Sequence, residues 1–200
     1  MKLKIIIDNN SIINFFRYYY FDKDYNNGKV IYNKLFDFLI SKIEKKEIII
    51  IDKVFNEYHR NNDFKKKIKK SVEDTSFLIS FVADLSQKYY IKRNEKFFNY
   101  DRNLIEAALF KAEEEDADLF LVAYCKYLLE QNDRIEDPES KNDVFLITDE
   151  TNNTKNYNKL IQKIPIICKS EGIKHNNIAY LLFNIYKEEL SFYLDIKNQE

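Results

Sequence analysis

Glycine is nearly absent from this 200-residue chain, with Gly28 and Gly172 the only two. A loop that cradles phosphates needs several glycines, so P-loop and dinucleotide-binding chemistry are excluded. Tryptophan is missing, and the two cysteines, Cys125 and Cys168, stand far apart without CxxC spacing. They predict buried, reduced thiols and a cytoplasmic address rather than a zinc site or a disulfide framework. His59 and His175 are the only histidines, and neither has partners at zinc-ligand spacing. A Ser or Cys nucleophile with a histidine base finds no support either. Long apolar runs are also lacking: Met1-Lys2-Leu3-Lys4 and three isoleucines precede Asp8, too few for a signal-peptide core or a span, so no membrane partner is expected. Nor does one sign of charge dominate. With 32 Lys and Arg against 33 Asp and Glu, the net charge of -1 argues against wholesale nonspecific nucleic-acid binding but leaves room for a local basic face.

What is present reads as one globular domain over residues 1–200, since a chain of this length buries enough surface to fold without staples. Ile5-Ile6-Ile7 is a short β-branched run, a strand buried on both faces, and Asp8-Asn9-Asn10-Ser11 supplies helix-capping chemistry directly after it. Ile31, Leu35, Phe38, Leu39 and Ile43 follow helical spacing over 30–43, and Ile48 to Ile51 predicts a second strand with Asp52 capping the next helix. Residues 64–87 and 104–115 read as amphipathic helices separated by an aromatic and basic stretch, 88–102. Leu121, Tyr124, Cys125 and Leu128 predict an amphipathic helix from Asp118 to about residue 131. A polar loop, 132–142, precedes a third strand, Val144 to Ile147, and Ile164-Pro165-Ile166-Ile167 reads as a fourth. Strands alternating with helices predict an α/β fold with a parallel sheet.

Sites in open parallel sheets form outside the carboxyl ends of the strands. Asp8 follows the first strand, Glu57 lies about a turn and a half into the helix after the second, Asp118 opens the later helix, and Glu150 follows the third strand. Several carboxylates gathered at one point repel one another unless a hard cation lies between them, so the chemistry such a cluster suits is Mg²⁺ or Mn²⁺ catalysis, with one or two ions and a bound water as nucleophile. Asp8 and Glu150 are the first candidates for ligands, with Glu57 and Asp118 completing or orienting the shell. Each acid taken singly has a plainer reading: Asp8 and Asp118 as caps, Glu57 as a solvated helix residue, Glu150 as a loop acid beside Asp149. Only their joint placement after strands raises the catalytic one.

IIIDNNSIINF, Ile5 to Phe15, resembles the opening motif of the PIN-domain ribonucleases, with Asp8 at the first acidic place and Asn10 at the neighbouring polar one. IIIIDKVFNEY resembles the second motif, with Glu57, and ADLFLVAYC the third, with Asp118. LITDE resembles the fourth, with Thr148 and Glu150, leaving Asp149 in the variable position. KIPIICKSEGIK, Lys163 to Lys174, resembles the closing segment of a bacterial PIN-like branch, in which an Ile-Pro strand leads to Cys and a short Gly turn. The resemblance implies a three-layer α/β/α fold with a mostly parallel sheet of about four to five strands. Residues 60–113, read as a helical elaboration, match none of its motifs, and a C-terminal helix is expected over about 176–194. The resemblance also implies a Mg²⁺- or Mn²⁺-dependent endoribonuclease, with Asp8, Asp118, Glu150 and Asp149 as metal ligands and Asn10 and Thr148 supporting. In the family such enzymes are often the toxin restrained by a small antitoxin protein, and a homodimer is among the expected assemblies. Other members are decayed nucleases, so a catalytically silent binding module is the alternative.

The densest basic run includes Lys65, Lys66 and Lys69, and a second, with Lys92 and Arg93, is interleaved with aromatics. Both read first as solvated faces and second as contacts to RNA phosphates.

Overall fold

The computed structural model describes residues 1–18, 26–151 and 159–194. Among these residues four parallel strands, β1 (Lys2–Ile7), β2 (Ile48–Ile49), β3 (Asn142–Ile147) and β4 (Lys174–Asn176), form one sheet in the order β2-β1-β3-β4. The isoleucine runs sit where β-branched side chains pack best, with Ile5, Ile6 and Ile7 fully buried and Ile48 to Ile51 nearly so. Ile7 lies opposite Ile147 across the central pair, and Ile147 opposite Asn176. From β1 the chain goes first to β2 on one side and later to β3 on the other, so the crevice at the ends of β1 and β3 is the topological switch point.

Helices α1 (Asn9–Tyr18) and α2 (Asn26–Glu44) connect β1 to β2. Between β2 and β3 come α3 (Asp52–Glu57), α4 (Asn62–Ile68), α5 (Ile79–Tyr89), α6 (Arg102–Glu114) and α7 (Ala117–Asn132). Helix α8 (Ile164–Ser170) precedes β4, and α9 (Ile178–Tyr180) runs through a π-helical turn, Leu181–Ile185, into α10 (Lys187–Leu194). Helix α7 lies against β1 and β3 with α3, α5, α6 and α8 around it, while α10 packs on α2 and α9 on α1. The result is a three-layer α/β/α arrangement. Both cysteines are free and buried. Among the described residues no helix is long and apolar enough to cross a membrane.

Four details depart from the sequence reading. Ile164 to Ile167 begins helix α8 instead of forming a strand. A short apolar run fits a buried helix as well as a strand, and Pro165 in the first turn costs no hydrogen bond there. The family-like closing segment is therefore helical, and the fourth strand is the polar Lys174-His175-Asn176. The helix expected over 64–87 is broken: Val72 is extended, and Glu73 pairs beside β2, its N–H donating to Ile50 O at 2.9 Å and its carbonyl accepting from Asp52 N at 2.8 Å. Asp52 is inside the first turn of α3 rather than its cap, and its carboxylate accepts the Thr75 hydroxyl instead. Helix α7 is capped by Asp116, so Asp118 is its second residue, and its first half is buried all round rather than on one stripe, as a helix between sheet and outer helices must be. Ile31 lies outside the residues whose side chains are described.

Because Leu121 is fully buried at the centre of α7, Leu121→Ala is expected to cost about 2–5 kcal/mol by lost transfer and cavity formation. Urea denaturation measures this, and a loss below about 1 kcal/mol would show that α7 is not the packed centre of its layer.

Candidate active site

Asp8 continues β1 by one residue, its N–H donating to Ile147 O at 3.0 Å. One carboxylate oxygen accepts from Ser11 N at 2.6 Å, capping α1, and the other accepts the Thr148 hydroxyl at 2.7 Å. At 3% exposure the burial of this carboxyl pushes its pKa up, with hydrogen bonds from Ser11 and Thr148 acting against the rise. Thr148 Oγ1 also accepts from Glu150 N at 3.1 Å, so one hydroxyl fixes the relation of the two strand ends.

Glu150 reaches across the edge. One of its oxygens accepts from Ile164 N at 2.9 Å, satisfying the start of α8, and the other lies 3.1 Å from Lys159 Nζ. The same ammonium is 3.0 Å from Asp118 in the first turn of α7. Burial pushes the Asp118 carboxyl up, Asp116 and Glu150 add to the rise, and Lys159 opposes it. For Lys159, burial disfavours the charge, but Asp118 and Glu150 outweigh it and hold the ammonium above the ordinary lysine range. Glu57, exposed at the end of α3, accepts from Ala117 N at 3.1 Å; desolvation of its carboxyl raises its pKa, and the charges of Asp116 and Asp8 add to that.

All four predicted catalytic acids thus come to the carboxyl edge of the sheet, in a row that includes Asp116. Asp149 points elsewhere: its oxygens accept from Asn14 Nδ2 at 2.9 Å and Ile178 N at 3.2 Å, tying α1 to α9. Its charge still adds to the raised proton affinity of Asp8, while Glu150 is the one of the two that shares Lys159 with Asp118. Thr148 stands at the centre of the network, whereas Asn10 is exposed, and it is Asn9 that lines the groove in front of Glu57. That groove, about 660 Å³, shares Lys111 and Asp116 with a smaller cavity of about 220 Å³, walled by Phe98 and Leu119 and reaching Asp118 and Lys159.

The basic residues singled out from sequence are not brought to these cavities. Lys65 lies over the Phe55 ring at 4.4 Å, Lys66 pairs with Asp63 at 3.9 Å, and Lys69, Lys92 and Arg93 are exposed away from both linings. The cations that do line them are Lys53, Lys111 and Lys159. No local pattern announced Lys159, which meets Asp118 from 41 residues away. Asp116 was hidden in the acidic run that starts at Glu113.

Among the described residues no three carboxylate, imidazole or thiol groups surround one point closely enough to hold an ion. Asp118 and Glu150 nevertheless already share one cation, the Lys159 ammonium. Two carboxylates, completed by water and substrate oxygens, are what Mg²⁺ commonly takes from a protein, so this pair suits Mg²⁺ or Mn²⁺ by donor chemistry. Asp8, with both oxygens engaged, stands behind it.

A carboxyl with a raised folded pKa holds its proton more tightly in the native state, so stability falls as pH rises from the ordinary value of 3.8 through the raised one, and the deficit is fully present above it. Asp8→Asn is therefore expected to raise the urea midpoint at neutral pH, with the gain shrinking toward pH 3.8. A midpoint lowered at pH 7 would show that the hydrogen bonds outweigh the burial of the charge.

No known protein family, curated protein or solved structure matches this chain.

Proposed function

We propose that this chain is a PIN-type endoribonuclease that hydrolyses RNA phosphodiester bonds with the help of Mg²⁺ or Mn²⁺. The observation that carries the reading is the gathering of Asp8, Glu57, Asp118 and Glu150, from four separate segments, on one edge of the sheet at its switch point. The bound ion would supply charge neutralisation and an acidified water at Asp118 and Glu150. Asp8 and Thr148 hold Glu150 in place from behind, and Ile164 N orients its second oxygen. Glu57 borders the open groove with a raised proton affinity and is the carboxylate best placed to take a proton from an attacking water. Lys53 and Lys111 line the same groove and give an RNA phosphate a positive approach to an otherwise acidic edge.

A second reading, a silent PIN-like module that binds RNA or protein without cleaving, draws on one observation: Lys159 already pairs with both Asp118 and Glu150. Cleavage of a labelled single-stranded RNA in Mn²⁺ separates the two. Asp118→Asn and Glu57→Gln are each expected to lower the rate roughly a hundredfold or more, with circular dichroism unchanged. Wild-type protein that binds the RNA and leaves it intact would favour the silent module, and unimpaired cleavage by both variants would remove the acids from the mechanism.

A further inference from the structure

Lys159 is held in the site by something other than its charge. Its carbonyl accepts from Asn94 Nδ2 at 2.6 Å, and Asn94 is 3% exposed within the 3₁₀ helix Lys92–Phe98. The residues on either side of this contact are joined as well. Ile91 N donates to Leu160 O at 2.6 Å, Gln162 N donates to Tyr89 O at 3.1 Å, and Tyr90 forms an antiparallel bridge with Ile161. The middle segment, which carries no motif of its own, therefore fixes the backbone from which the ammonium reaches Asp118 and Glu150. The lysine side chain keeps 39% of its surface accessible, whereas Glu150 keeps 13%. The head group has room to leave while its root stays clamped.

Resting on the cation site read above, we propose that Lys159 is a built-in counter-ion that competes with Mg²⁺ or Mn²⁺ for Asp118 and Glu150, and that Asn94 is the positioning residue that sets how strongly it competes. An ammonium and a divalent ion repel each other when both lie against one pair of carboxylates, so the ion binds more tightly as the ammonium leaves. The displaced ammonium remains at the cavity that also holds Lys111, where an RNA phosphate can take it up. Metal entry and phosphate binding are thereby favoured together, and the chain without RNA has the weaker hold on metal.

The test is calorimetric titration of Mn²⁺ into the full chain, as wild type, Lys159→Met and Asn94→Ala, with Asp118→Asn as the control and circular dichroism confirming the fold. Lys159→Met is expected to bind Mn²⁺ roughly tenfold or more tightly than wild type, the scale of one close charge pair. Asn94→Ala is expected to shift in the same direction by less, and Asp118→Asn to lose binding. Equal affinity in wild type and Lys159→Met would overturn the competition while leaving the cation site standing. No binding by a folded Lys159→Met would overturn both. Should Lys159→Met fail to fold, Asn94→Ala keeps the charge and decides the matter, an affinity equal to wild type overturning the proposal.

Discussion

A carboxylate at 3% exposure between the two central strands is costly unless its charge is met, and the layout of the site follows from how Asp8 is met. The first N–H groups of α1 face it through Ser11, adding the favourable end of a helix dipole. Thr148 meets the other oxygen from the neighbouring strand. Since β1 and β3 are in register at Ile7 and Ile147, that hydroxyl has little freedom to sit elsewhere. The hydroxyl in turn orients Glu150, which closes the start of α8. One buried charge thus couples the central strand pair to helices on both faces of the sheet.

Beyond Asp8 the edge carries more negative charge than its hydrogen bonds can absorb. Asp116 and Glu150 raise the proton affinity of Asp118, and Asp116 and Asp8 raise that of Glu57. The two pKa rises and the one strongly supported ammonium are therefore parts of a single balance, in which Lys159 bridges the innermost pair and Lys111 lines both cavities. Such an edge repels other anions and attracts cations.

The parts of this arrangement that could be read in the sequence are those with a local signal. Three isoleucine-rich or valine-led runs marked β1, β2 and β3, and the acids after them marked the edge, because strand ends and capping residues are adjacent in sequence. Strand β4 escaped because Lys174-His175-Asn176 is polar and pairs only at the outer side of β3. Helix α8 was mistaken because four consecutive apolar residues carry no period of their own, and only the acceptor supplied by Glu150 and the fit of Pro165 to a first turn decide the matter. The break at Val72 is likewise nonlocal, since it follows from the unpaired side of β2. Lys159 belongs to the same class: its meaning lies in partners 9 and 41 residues away.

Those nonlocal features have a common source in the middle segment. At its beginning Glu73 extends the β2 edge and Thr75 takes up Asp52, which fixes the start of α3 and hence the height at which Glu57 stands. Further along, the pairing of 89–91 with 160–162 and the Asn94 contact fix Lys159. At its end, α6 leads through Asp116 into α7 and sets Asp118. A segment that supplies none of these side chains before Asp116 therefore determines the positions of one acid at the groove and of the cation and acid at the inner pair. Its packing against α7 transmits to the acidic edge any change made in its interior, so that substitutions there would alter the edge through placement before they alter it through contact.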